Sequence, residues 1–255
     1  MTNSRDQANS NPSVELDDGP HFRAELGFVL IPNSRLVETE MARLAPKGVG
    51  VHFARGRMPR ETTVKSLAAM GNSLGDAAAS LLPGEELDVI SYACTSGSLI
   101  LGEEKVQAEL KKGRKKCQAT STIGASIAAL QSLGARRLAI GTAYIDEVNE
   151  VEAKYLTERG FDVLAIHGLN LLHDSEIIRV SSNFIRDFAC SIDRRDADAI
   201  FLSCGALRAV EVIDEIEQIV GKPVVTSNQA LLWHCLKLAG VDERPGKCGR
   251  LMQNY

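Results

Sequence analysis

The chain has 255 residues, of which 44% are hydrophobic and 24% charged, an ordinary globular composition long enough for one large domain or two small lobes. A net charge of −4 and an isoelectric point near 5.8 exclude a general basic field for nucleic acid, and no apolar stretch approaches the roughly 20 residues that cross a bilayer. Six cysteines without a Cys-x-x-Cys and five scattered histidines without a His-Glu-x-x-His argue against a zinc or iron–sulfur site.

The opening segment, Met1 to Pro20, is polar and lacks the apolar core of a signal peptide. It reads as a disordered tail ending near residue 22, on a cytoplasmic protein whose thiols stay free. Strand-like runs then alternate with helical patterns, the mark of an α/β fold with parallel sheets. The strands are expected at Leu26–Ile31, Gly50–Ala54, Asp88–Ala93, Cys117–Thr120, Arg137–Thr142, Asp162–His167, Ala199–Ser203 and Pro223–Thr226. Between them, helical periodicity is clearest over Val64–Leu82, Ile123–Leu133, Val148–Arg159, Ile177–Ile192, Ala209–Val220 and Gln229–Ala239. Gly134, Gly160, Gly221 and Gly240 stand where left-handed helix caps belong. The basic run Lys111 to Lys116 reads as a solvated helix end and loop.

A motif recurs. Asp88-Val-Ile-Ser-Tyr-Ala-Cys94-Thr-Ser-Gly97 and Asp198-Ala-Ile-Phe-Leu-Ser-Cys204-Gly-Ala-Leu207 each place an Asp six residues before a Cys, at an offset of 110 residues. The first strand and Arg137–Thr142 repeat at the same offset, and Ala119-Thr-Ser121 recurs as Val225-Thr-Ser227, each followed by a helix. These offsets argue for an internal duplication. In open parallel sheets ligands bind beyond the carboxyl ends of the strands. Asn33, Cys94, Tyr144 and Cys204 all fall just past such ends, so a face-to-face packing of the halves points them into one cleft.

Cys117, Cys190 and Cys235 lie within strand or helix patterns and read as core, while Cys248, in a Gly/Pro-rich tail, reads as exposed. Cys94 and Cys204 differ, because each marks a strand-to-helix junction. There free N–H groups and the positive end of the helix favour thiolate and form an anion site. Thr95, Ser96 and Gly97 after the first Cys, and Gly205 and Ala206 after the second, let a carboxylate approach the backbone closely.

These segments carry a resemblance. Ala93-Cys-Thr-Ser-Gly97, Gly134-Ala-Arg-Arg-Leu138, Thr142-Ala-Tyr144, Ser203-Cys-Gly-Ala-Leu-Arg208 and Gly221-Lys-Pro-Val-Val-Thr-Ser-Asn-Gln-Ala230 resemble the aspartate/glutamate racemase superfamily. The likeness covers roughly residues 24–240 and is greatest to the maleate isomerase and arylmalonate decarboxylase branch, and within it to racemase-like ectoine utilization proteins. It implies two flavodoxin-like lobes, each with a four-stranded parallel sheet, and an active site between them that uses no cofactor and no metal. Residues 23–121 with 228–255 would form the first lobe and 122–227 the second, a helix crossing over after each fourth strand. Cys94 and Cys204 would be the catalytic pair. Asn33, Thr95, Ser96, Tyr144, Gly205 and Ala206 would hold a small carboxylate, in a chain that assembles as a homo-oligomer.

The chain also departs from the family pattern. Leu207 and Ala206 stand near the His of glutamate racemases, which disfavours that activity. Arg35 takes the spacing of a maleate-isomerase Asn unless a shift makes Asn33 its equivalent. Gly205 replaces a Thr, and Asp174 falls near the place of a second Asn. The expected activity is a cofactor-independent isomerase or racemase of a small carboxylate, in ectoine or dicarboxylate breakdown. An arylmalonate-type decarboxylase is the enzymatic alternative, although those enzymes carry Gly at the first Cys position. A non-catalytic carboxylate-binding protein is the alternative of another class.

Overall fold

A computed structural model describes residues 14–57, 64–242 and 248–253. The expected tail falls mostly on residues 1–13, outside the described ones, and residues 14–21 are exposed and irregular. All eight expected strands are present: β1 (Ala24–Leu30), β2 (Val49–Arg55), β3 (Val89–Tyr92), β4 (Gln118–Ser121), β5 (Arg137–Thr142), β6 (Asp162–Gly168), β7 (Ala199–Ser203) and β8 (Val224–Thr226). They form two four-stranded sheets of the same order, β2-β1-β3-β4 and β6-β5-β7-β8. Every pairing is parallel. Parallel sheets are covered on both faces, and β3 and β7 are accordingly buried along their whole length.

The Asp of each repeated motif has the same task in both halves. Asp88 accepts from the Glu25 N–H at 2.8 Å, at the start of β1. Asp198 accepts from the Arg136 and Arg137 N–H groups at 3.0 and 2.7 Å, at the start of β5. A carboxylate thus pins the neighbouring strand at one end of the sheet, and five buried residues later the chain delivers a thiol at the other.

Helices depart from periodicity where a side chain competes for the backbone. The stretch expected as one helix over Ile177–Ile192 is two, Asp174–Ile177 and Ser182–Ser191, because the Ser181 hydroxyl caps the second by accepting from the Phe184 N–H at 3.3 Å. Val64–Leu82 is likewise divided, into Val64–Met70, a 3₁₀ turn at Gly71–Ser73, and Leu74–Ser80. The four cap glycines take left-handed φ of 68° to 87°. Lys111 and Lys112 close the helix Glu103–Gly113 on its exposed face.

Cys248 is buried, at 2% exposure, contrary to the expectation of an exposed tail. The Gln229 side chain donates to its carbonyl at 2.7 Å, and Asp214 and Glu217 accept from the N–H groups of Gly249 and Arg250. The short helix Gly249–Gln253 then buries Leu251 and Met252. Cys117 and Cys235 are in the core, and Cys190 is half-buried.

The helix Ser227–Leu238 follows β8 yet packs on the helix Thr122–Ser132 and against β3 and β4 of the other sheet. It is closed at its start by a capping box between Thr226 and Gln229, and its first turn reaches the middle of the molecule.

Candidate active site

Residues just beyond the carboxyl ends of β1, β3, β5 and β7 line one cavity of about 100 Å³. Cys94, Thr95 and Ser96 come from the turn after β3, Tyr144 from the turn after β5, and Cys204, Gly205 and Ala206 from the turn after β7. Both thiols therefore face the same small space. The rest of the lining is mostly apolar, with Val37, Leu67, Val148, Leu171, Leu172 and Ile177 around Asp174. Leu172 is 58% exposed and marks the mouth. Neither Asn33 nor Arg35 lines the cavity. Ser34, between them, does; Arg35 is exposed, and the Asn33 Oδ1 is buried without a partner.

The two sulfur atoms have different supports. Cys94 caps the helix Thr95–Leu101, its Sγ accepting from the Gly97 N–H at 3.3 Å with the Ser96 hydroxyl 3.7 Å away. Cys204 is followed by a turn and a 3₁₀ segment, Ala209–Val212, and its Sγ accepts from the Ala206 N–H at 3.4 Å. The expected strand-to-helix junction thus holds at Cys94 only.

The expectation of thiolates is also corrected. Burial pushes the Cys94 thiol up, and pushes Cys204 up to about 12, with the Asp174 carboxylate raising both further. The N–H donors pull the other way without prevailing. Burial thus favours the thiol form of both groups, because desolvating an anion outweighs one or two hydrogen bonds.

Ser227 joins the two turns. Its hydroxyl oxygen accepts from the Thr95 hydroxyl at 2.9 Å and from the Cys204 N–H at 3.1 Å. The next residue, Asn228, donates to the Gly205 carbonyl at 2.9 Å and to the Glu40 carboxylate at 2.6 Å. Glu40 is 2% exposed, its other oxygen has no partner, and burial pushes its carboxyl up to about 7. One helix start thereby sets the backbone on which a carboxylate would rest. The quoted Thr-Ser-Asn-Gln stretch marked these residues in the sequence without disclosing their contacts.

Tyr144 is held by its own loop. Its N–H donates to the Thr142 hydroxyl at 3.1 Å, which in turn donates to Asn149 Oδ1 at 2.6 Å. Gly168 lets this loop cross β6, since a Cβ there would collide with the Tyr144 carbonyl. Burial raises the Tyr144 hydroxyl well above its usual range, so it is a donor. Behind it, Glu152 is fully buried, and burial pushes it up to about 7 although the Ser203 hydroxyl pulls the other way. Among the described residues only His21, Glu25 and His52 are spaced to share a metal ion, and none of them lines the cavity.

The family model for arylmalonate decarboxylase matches residues 26–252. The chain belongs to this family. It is 31% identical to the arylmalonate decarboxylase of Bordetella bronchiseptica over 238 residues, 89% of this chain and 95% of that one. A solved glycine-to-cysteine, cysteine-to-serine double mutant of arylmalonate decarboxylase in its liganded form is 29% identical, covers 91% of this chain and all of that one, and superposes with a TM-score of 0.80. A cysteine-to-serine mutant of the Nocardia farcinica maleate cis–trans isomerase, solved with a covalently bound succinylcysteine intermediate, shares the fold at a TM-score of 0.83 and 23% identity, covering 91% of this chain and 99% of that one. The family thus includes cysteine-dependent isomerases and decarboxylases, and members are known bound to small carboxylates. No helix among the described residues is long and apolar enough to cross a membrane.

Proposed function

We propose that this protein is a cofactor-independent isomerase of a small carboxylate, with Cys94 and Cys204 as its acid–base pair. The observation that carries the proposal is the presence of both thiols in one cavity beside the hydroxyls of Ser96 and Tyr144 and the N–H groups after Cys204. A carboxylate gripped by these donors would expose its α-carbon to a sulfur on either side. One sulfur, as thiolate, takes the α-proton. The charge moves into the carboxylate as an enediolate, which the donors stabilise. The other sulfur, as thiol, returns a proton to the opposite face. Each turnover leaves the sulfur roles exchanged, ready for the reverse reaction, and consumes nothing.

The apolar wall supports this racemising form over maleate-type isomerisation. In the latter a thiolate adds to the double bond, the other thiol protonates the neighbouring carbon, the single bond rotates, and both steps reverse. That route needs a second carboxylate subsite, and the described residues that line the cavity include no Lys, Arg or His. The narrower link to ectoine breakdown rests on the sequence resemblance alone. A second reading is arylmalonate-type decarboxylation, favoured by the 31% identical relative and by an apolar wall suited to destabilising a carboxylate. Cys94 speaks against it, since a decarboxylase needs one proton donor and the family resemblance puts Gly there.

Proton NMR in deuterated water tests the proposal. Loss of an α-proton signal without carbon dioxide release supports it, and near wild-type turnover in Cys94→Ser overturns it.

A further inference from the structure

Asp174 is the one carboxyl group among the described residues that line the cavity, and nothing so far gives it a role. It lines the cavity at the start of the helix Asp174–Ile177, between Leu172 and Ile177. No hydrogen bond or ion pair engages its side chain among the described residues. Burial raises its carboxyl above the usual carboxylate range, and the exposed His173 next to it in the chain pulls the other way. Its field reaches both sulfurs and disfavours both thiolates.

This is a costly arrangement for the reaction proposed above. A carboxylate substrate, a thiolate base and Asp174 would place three negative charges in one small cavity, and like charges close together suppress ionisation. The charge balance closes if the substrate brings a cation. We infer that the substrate is a zwitterion, an α-amino carboxylate with an apolar side chain, whose ammonium group pairs with Asp174.

The inference rests on the isomerase reading and deepens it. The α-ammonium is bonded to the same carbon that lies between the sulfurs, so a group whose field reaches both is well placed to receive it. Once paired, Asp174 no longer opposes thiolate formation, and the ammonium itself favours a thiolate base nearby. Binding of the right substrate would thereby activate the base. The apolar wall takes the side chain, and the donors after β3 and β7 take the carboxylate. A neutral isostere, with methyl in place of ammonium, would set a hydrocarbon against the half-buried Asp174 and leave that carboxyl without a partner.

The test uses matched pairs that differ only in that exchange: 2-aminobutyrate against 2-methylbutyrate, and phenylglycine against 2-phenylpropionate. Calorimetric titration of the full chain reads binding, and α-proton exchange in deuterated water reads turnover. The wild type is expected to bind the amino acid of at least one pair tenfold or more tightly than its isostere, and Asp174→Asn to abolish that preference. Equal or tighter binding of the methyl acids overturns the inference, as does a preference that survives in Asp174→Asn. Exchange of the methyl acids alone overturns it while leaving the isomerase reading intact. A preference without exchange of any acid supports the ammonium site and overturns the isomerase reading. Binding of neither member of both pairs overturns the inference.

Discussion

The two cysteine turns end the same strand motif, an Asp six residues before a Cys, and are unlike in structure. Cys94 opens a regular helix, and its sulfur is held from within that helix by the Gly97 N–H. Cys204 opens an irregular turn whose backbone is fixed from outside, by Ser227 on its N–H and Asn228 on the carbonyl of Gly205. The first turn leans on the helix Ser227–Leu238 through the Thr95 hydroxyl alone, while the second has its backbone fixed by it. A duplicated motif therefore does not guarantee duplicated chemistry. Cys204 is the harder of the two to ionise, at about 12, which suits it to begin a cycle as the proton donor.

Breaking the pair should have the largest effect. Replacing either Cys94 or Cys204 with Ser is expected to lower turnover on an identified substrate by about 10²–10⁴-fold, the usual worth of a positioned acid or base. Circular dichroism should show an unchanged fold. Equal loss in both variants would indicate that both sulfurs transfer protons in each turnover.

The next effect separates the supports. Ser227→Ala removes partners from Thr95 and from the buried Cys204 N–H together, and should cost about 1–3 kcal/mol of stability and up to about 10²-fold in turnover, read by urea denaturation and steady-state kinetics. Ser98→Ala, which removes a 2.5 Å bond to the Cys94 carbonyl inside the first helix, should cost less turnover.

Thiol labelling sharpens the contrast without mutation. Both thiols are raised by burial, so iodoacetamide should label them slowly at pH 7 compared with free cysteine. Mass spectrometry as pH increases should find Cys94 modified before Cys204.

Glu40 and Glu152 give a smaller effect, in stability. Each has a folded-state pKa near 7 against an ordinary 4.5, so the folded protein keeps protons that the unfolded chain releases. Stability should therefore fall as pH rises from about 4.5 to about 7 and then level off, by at most about 3 kcal/mol per group. Glu152→Gln should flatten part of that fall in thermal melts at pH 5 and pH 8. Smallest of all, Lys111→Ala with Lys112→Ala should change stability by less than about 0.5 kcal/mol, because both side chains are solvated.

Strands were legible because a short apolar run between turn residues admits few other readings, and all eight were found near their expected limits. The Cys, Thr, Ser, Tyr and Gly positions of the cavity were legible because strand ends fix where a side chain points. What stayed hidden was set by contacts distant in sequence. Ser227 touches Thr95 across 132 residues and Asn228 touches Glu40 across 188, separations at which no local pattern operates. A signal for the buried acids did exist. Val37, Glu40 and Met41 fall on one helical face, as do Asn149, Glu152 and Leu156, so each Glu occupies a core position. The thiol ionisation was misjudged because helix ends are visible in a sequence and desolvation is not.

The helix Ser227–Leu238 carries one further implication. It leaves the strand that precedes it to lie against the opposite sheet, and at its tip it clasps both thiol-bearing turns. Halves latched in this way cannot swing apart like a clamshell without tearing that clasp. Among the described lining residues Leu172 is the most exposed side chain, so local yielding at that rim opens the cavity without disturbing the interlocked frame.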